Sequence, residues 1–168
     1  MLSRSKQKKV LLNKNVFLTG ATGGLGSIIA DDLQAYGCRL YLVTSNKLKI
    51  PQLRKKYRRN LISASYLDLS KPQEVEKKLK QIKAKFKFDI IINCAGIFPV
   101  RSIDKTSLFT IQNCFNINVI SPFIVIKELS NNMKKTGWGR IINIGSSSSY
   151  NGFKDTSVYC SSKHALLG

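Results

Sequence analysis

The sequence predicts an α/β fold in which helices cover both faces of a doubly wound, parallel sheet. Three observations predict it. Short apolar, strand-like runs alternate with helix-length segments along the chain, the order that builds βαβ units. One of those runs, Ile90-Ile91-Ile92, is apolar at consecutive positions, as in strands covered on both faces in the middle of a parallel sheet. A Gly-rich turn, Gly20-Ala21-Thr22-Gly23-Gly24-Leu25-Gly26, joins the first run to the first helical segment, the place where such a sheet takes a phosphate.

Residues 15–19 form the first predicted strand. Residues 24–36 follow with Leu25, Ile28, Ile29 and Leu33 at helical spacing, and Gly37 stops the helix. Residues 39–44 make a second strand, 51–57 a short polar helix or loop, and 61–67 a third strand. Ser70 reads as the N-cap of a helix running to about Phe86, with Pro72 in its first turn and Glu74 and Glu76 near its positive end. Residues 89–93 are the fourth strand, residues 107–135 one long helical stretch, and residues 140–144 the fifth strand, introduced by Gly137 and Gly139. A Ser-rich loop leads to a last helix that begins near Ser157 and has barely two turns before Gly168. Right-handed crossovers give a Rossmann-type strand order of 3-2-1-4-5. A single domain spans 14–168, after a flexible basic leader over residues 1–13.

The chain of 168 residues is long enough for one core, and its apolar share of 43% is ordinary. Its net charge of +19, from 28 Lys and Arg against 9 Asp and Glu, favours anionic partners in general. The same excess also reads as dispersed, solvated positive faces, and no basic stripe interleaved with aromatics points to nucleic acid. Cys38, Cys94, Cys114 and Cys160 form no metal-ligand or C-x-x-C spacing, which suits free thiols in the reducing cytoplasm. The sequence shows no secretory signal and no run of about 18 apolar residues, so no membrane partner is expected.

Glycines in the turn let the backbone approach a pyrophosphate, and the helix start supplies free N–H groups. Gly20, Gly24 and Gly26 fit one spacing, and Gly20, Gly23 and Gly26 fit another. In many NAD enzymes a carboxylate closes the second strand and holds the ribose hydroxyls. Thr44-Ser45-Asn46-Lys47 stands there instead. With no carboxylate to repel a 2′-phosphate and Lys47 to attract one, NADP(H) is favoured over NAD(H). Lys47 also reads as a plain loop lysine.

Tyr159 and Lys163, four residues apart, share one face of the last helix. An ammonium near a phenol favours the phenolate, which suits Tyr159 to exchange a proton with a carbonyl or alcohol oxygen. Ser146 lies thirteen residues before Tyr159, after an apolar strand, where a hydroxyl faces the crevice of the sheet. It is one of four consecutive serines, and position selects it. Pro122 lacks the N–H that would bond the carbonyl of Asn118, so that carbonyl needs another partner such as water. His164, the sole histidine, reads as a surface or packing residue.

These segments together resemble the short-chain dehydrogenase/reductase family, over nearly the whole chain from about residue 14. The Gly-rich turn, Asn93-Cys94-Ala95-Gly96, Asn118 and Ser146…Tyr159-x-x-x-Lys163 occur in the family's order. Their spacing is similar to the single-domain branch. The resemblance implies a hydride transfer between a nicotinamide and a small carbonyl or alcohol substrate. It implies Tyr159 as general acid or base, Lys163 as the group that tunes it and holds the nicotinamide ribose, and Ser146 as the hydrogen-bond partner of the substrate oxygen. Asn118 would help to hold a relay water. Gly20, Thr22, Gly24, Leu25 and Gly26 would meet the pyrophosphate, and Ser45, Asn46 and Lys47 the adenosine ribose. Asp68 and Leu69 would meet the adenine, and Asn93, Ala95 and Gly96 would line the cofactor. Cys94 stands where the family has a second asparagine. The resemblance further implies a homo-oligomer when full length and two more strands after Gly168. On that reading the 168 residues are C-terminally truncated and not a competent enzyme alone. A nucleotide-binding protein without turnover is the alternative.

Overall fold

In a computed structural model, which describes residues 9–168, five parallel strands form one sheet. They are β1 (Asn15–Leu18), β2 (Arg39–Thr44), β3 (Leu61–Tyr66), β4 (Ile90–Asn93) and β5 (Arg140–Asn143). Their order is β3-β2-β1-β4-β5, as the sequence predicts. The register sets Phe17 between Tyr41 and Ile91, and Ile91 beside Ile141. Successive side chains leave a strand on opposite faces, so the alternation in β1 and β4 feeds two cores. On one face Phe17, Tyr41 and Ile91 pack with Val75, Leu79, Ile82, Val125, Leu129 and Met133. On the other face Val16, Leu18, Leu40, Leu42, Ile90 and Ile92 pack with Ala30, Leu53 and Tyr57.

The helices that carry those residues are α1 (Gly24–Ala35) and α2 (Ile50–Lys56) on the second face, with α3 (Pro72–Lys85), α5 (Ser121–Leu129) and α6 (Asn131–Thr136) on the first. Helices α4 (Leu108–Phe115) and α7 (Ser157–Leu167) lie further along the chain. Gly37, at φ +79°, ends α1 in the left-handed conformation that glycine adopts freely. The flexible leader expected over 1–13 lies outside the described residues up to residue 8. Its end is attached: Leu11 packs on the second core, and the amide of Asn13 donates to the carbonyl of Gly37 at 2.9 Å.

Several local expectations are corrected. Ser70 is not the cap of α3. Asp68 accepts both the Ser70 amide, at 3.0 Å, and the Ser70 hydroxyl, at 2.7 Å, and the cap position falls to Lys71. A short acidic side chain bonding two residues on competes directly with a serine cap. The long helix over 107–135 is three helices. A π-helical turn, Asn116–Ile120, separates α4 from α5, and there the Ser121 amide reaches back to the carbonyl of Asn116. Pro122, in the first turn of α5, has no amide to continue an ordinary ladder, and one widened turn accommodates it. Leu108–Leu129 is, contrary to expectation, long and apolar enough to cross a membrane by length and composition. It nonetheless carries the buried polar residues Asn118, Ser121 and Glu128, and Glu128 meets Lys83 of α3. Finally, α7 runs for eleven residues, longer than the barely two turns expected.

Candidate active site

The C-terminal ends of β1 and β4 are tied together first. The hydroxyl of Thr19 accepts from the amides of Cys94 and Ala95 at 3.1 and 3.2 Å. Gly20 then turns at φ +71°, and a Cβ there would lie 2.8 Å from the Ala95 nitrogen. A Cβ on Gly26 would lie 2.1 Å from the Gly20 carbonyl oxygen, whereas one on Gly24 would meet nothing within 4 Å. Gly20 and Gly26 are therefore required by the protein's own backbone. Gly24 leaves open space at the first residue of α1. Gly23 caps that helix without a side-chain bond, and no acidic residue stands in the first turn. The first amides of α1 are thus free for an anion, and the helix dipole favours one.

The turn opens on a cavity of about 420 Å³ lined by Gly20, Thr22, Gly24, Leu25 and Gly26, by Ser45, by Asp68 and Leu69, and by Ala95 and Gly96. Ten of the residues singled out in the sequence for a cofactor therefore converge on one cleft. Val43, Leu67, Cys94, Ile97 and Ile117 line it too, and pattern alone did not single them out. The size, the free helix amides and the open space at Gly24 fit a dinucleotide.

Five residues expected at the cofactor, Asn46, Lys47, Asn93, Tyr159 and Lys163, do not line the cleft. Asn93 is buried, and its amide donates to the side chain of Asn143 across β4 and β5 at 2.8 Å, while its Oδ1 finds no partner among the described residues. It joins strands at the end of the sheet and does not reach the cleft. Asn46 caps the turn Lys47–Lys49, accepting from the Leu48 amide at 2.9 Å. Lys47 lies over the ring of Tyr66, its Nζ 4.7 Å from the ring centre.

The four residues expected to do chemistry sit at the β4–β5 side of the cleft. Lys163 is buried, and its ammonium donates to the carbonyl of Ile144 at 2.7 Å. Burial pushes its pKa below the ordinary lysine value. Its Nζ stands 5.8 Å from the ring centre of Tyr159. Tyr159 is half-buried, and the ring of Phe98 meets it edge-on at 4.5 Å between centres. The hydroxyl oxygen of Ser146 accepts from the Ser148 amide at 3.1 Å, and the Ser146 amide donates to the Ser149 hydroxyl at 3.2 Å. This capping pair fixes the serine and leaves its hydroxyl proton free to donate. Asn118 is buried. Its side chain accepts from the Ile97 amide and donates to the Ile97 carbonyl, both at 3.0 Å, and donates to the Ser162 hydroxyl at 3.0 Å.

Ser162, which sequence reasoning missed, completes this arrangement. It is fully buried, and its hydroxyl donates to the carbonyl of Tyr159 at 2.7 Å. It thereby links the segment after β4, the π-helical turn and α7. Its place three residues after Tyr159 was the only available signal, and the same spacing describes any helical neighbour.

A parallel sheet of this order and a Gly-rich turn opening a cleft define a Rossmann-type fold, and a Tyr and a Lys lie one helical turn apart beside it. Residues 14–168 match the short chain dehydrogenase family, and the chain belongs to it. It is 30% identical over 161 residues to the uncharacterized oxidoreductase YxjF of Bacillus subtilis, covering 94% of this chain and 63% of that protein. It is 33% identical over 156 residues to the 3-oxoacyl-[acyl-carrier-protein] reductase FabG of Buchnera aphidicola subsp. Schizaphis graminum, covering 92% and 64%. Among solved structures, a blue fluorescent protein from a metagenomic library in complex with NADPH superposes with a TM-score of 0.82 at 29% identity, over 94% of this chain and 66% of that one. The chain thus spans less than two thirds of the length of these relatives.

Proposed function

We propose that the chain carries the cofactor-binding and catalytic part of an NAD(P)(H)-dependent oxidoreductase acting on a carbonyl or alcohol substrate. The observation that carries this reading is the placement of Tyr159 and Lys163 one turn apart on α7, with the ammonium held by the carbonyl of Ile144. The relatives' names as oxidoreductases and the NADPH complex of one structural neighbour support it.

When bound, the nicotinamide supplies or takes the hydride. Gly24 and the free amides of α1 hold the pyrophosphate, and Asp68 and Leu69 flank the adenine. Tyr159 gives its phenolic proton to the carbonyl oxygen in reduction and takes one from the alcohol in oxidation. Lys163, its ammonium 5.8 Å from the Tyr159 ring centre, holds the nicotinamide ribose. Ser146 donates its free hydroxyl proton to the substrate oxygen. The side chain of Asn118 is fully engaged, so its part in a proton relay falls to its backbone carbonyl, which Pro122 cannot bond.

NADP(H) is preferred over NAD(H), because Ser45 stands where a carboxylate would repel a 2′-phosphate. The free cysteines suit the cytoplasm, and the exposed Phe109 and Phe123 on α4 and α5 suit a homo-oligomer of the full-length protein.

The test is a Tyr159→Phe variant assayed against a panel of ketones and alcohols with both cofactors. Turnover should fall at least about a hundred-fold, with NADPH affinity within about two-fold of the parent. Near-normal turnover would remove Tyr159 from the proton step.

A further inference from the structure

The loop after β2 is held in place at its beginning and its middle. The Thr44 hydroxyl meets the Thr22 hydroxyl of the Gly-rich turn at 2.8 Å and accepts from the Asn46 amide at 3.1 Å. Asn46 in turn caps the turn Lys47–Lys49. The loop backbone is thereby fixed relative to the phosphate turn, while Lys47 keeps a long, flexible side chain whose rotamer freedom opposes placing its charge. Tyr66 removes much of that freedom. Paired in register with Thr44, it ends β3 immediately before Leu67 and Asp68, which line the cleft. The Lys47 ammonium rests on its ring, 4.7 Å from the centre. A cation on a ring face is bound on one side and open to an anion on the other. Asp68, a carboxylate of the cleft wall, is turned to Ser70 and accepts hydrogen bonds from its amide and hydroxyl.

We propose that Tyr66 is a positioning residue for cofactor choice. Its ring stations the Lys47 ammonium at the adenosine end of the cleft, where the charge meets the 2′-phosphate of NADP(H). The inference rests on the reading of the cleft as a dinucleotide site and adds to it a residue that touches neither the phosphate nor the reacting atoms.

The test measures dissociation constants of the full chain for NADPH and NADH by cofactor fluorescence, with Tyr66→Leu, Tyr66→Phe and Lys47→Met. In Tyr66→Leu the preference for NADPH over NADH should fall about two- to five-fold, the worth of an exposed cation–ring contact. NADH affinity, which also reports an intact fold, should stay constant. Tyr66→Phe keeps the ring and should keep the preference. In a Lys47→Met background, Tyr66→Leu should change nothing further. An unchanged preference in Tyr66→Leu, or the same fall without Lys47, would overturn the role of Tyr66 while leaving the cleft as a cofactor site. Failure of the parent chain to bind either cofactor would overturn the reading of the cleft itself, and this inference with it.

Discussion

Strands β2 and β5 are both apolar, yet their surroundings differ. β2 lies between β1 and β3, and from Leu40 to Thr44 every residue is buried. β5 lies at the edge, and all four of its residues are exposed, with Ile141 and Ile142 each 43% accessible on opposite faces. The cofactor side of the sheet is enclosed by helices and by backbone contacts in the Gly-rich turn. The side beside β5 is held by a few polar bonds, from Lys163 to Ile144 and from Asn118 through Ser162 to Tyr159. The proposed binding and chemistry would therefore rest on differently supported parts of one sheet, and substitutions on the two sides should have separable consequences.

The largest expected effect breaks the enclosed side. Gly26→Val places a branched side chain against the Gly20 carbonyl, where even a Cβ would be 2.1 Å away. The backbone must move, at a cost of about 3 kcal/mol or more. Gly24→Val meets open space, so it should leave the fold intact within about 1 kcal/mol and weaken NADPH binding at least about ten-fold by filling the place of the phosphate. Thermal or urea unfolding together with cofactor titration separates the two. Equal destabilisation by both variants would contradict the assignment of one glycine to the protein and the other to the ligand.

The next effect compares two neighbours in one register. Ile91 and Ile141 pair side by side on the same face of the sheet. Ile91 is fully buried and Ile141 is not. Ile91→Ala should cost about 3 to 4 kcal/mol by urea unfolding, and Ile141→Ala about 1 kcal/mol. Similar losses at both positions would mean that β5 is covered in solution.

The same asymmetry governs what was legible beforehand. Strand order and the Gly-rich turn followed from patterns that many residues share, so no single exception disturbed them. The misread features hang on competition between neighbours. Ser70 had every property of a helix cap, but Asp68 takes both of its donors. Residues 107–135 kept a helical pattern throughout, and only the missing amide of Pro122 imposes the widened turn at Asn116–Ile120. Asn93 sits in a motif whose other members line the cleft, but as the last residue of β4 it faces Asn143 of β5. Ser162 and Tyr66 were invisible because their parts depend on contacts with residues 44 and 19 positions away in the chain.

The smallest effect sharpens the description of the enclosed side through its response to pH. Cys38 is fully buried at the start of β2, its thiol donating to the carbonyl of Leu11 at 3.3 Å. Burial disfavours the thiolate and pushes its pKa from 9.0 up to about 11. Below pH 9 the folded and unfolded chains both hold the proton, and the thiol gives no pH dependence. Between pH 9 and 11 the unfolded chain releases the proton and the folded chain keeps it. The folded state then binds more protons, so stability falls as pH rises, by about 2 to 3 kcal/mol over that window. Other groups titrate there too: burial raises Cys94 and Cys114 in the same sense and lowers Lys163 in the opposite sense. The comparison with Cys38→Ala isolates the one thiol. That variant should be less stable than the parent by about 1 kcal/mol near pH 7, where it leaves a small cavity. The difference should shrink above pH 9 and reverse by pH 11, as the parent alone carries the cost of keeping the Cys38 thiol protonated. A difference that stays constant from pH 7 to 11 would show that water reaches Cys38 and that the start of β2 is as open as β5.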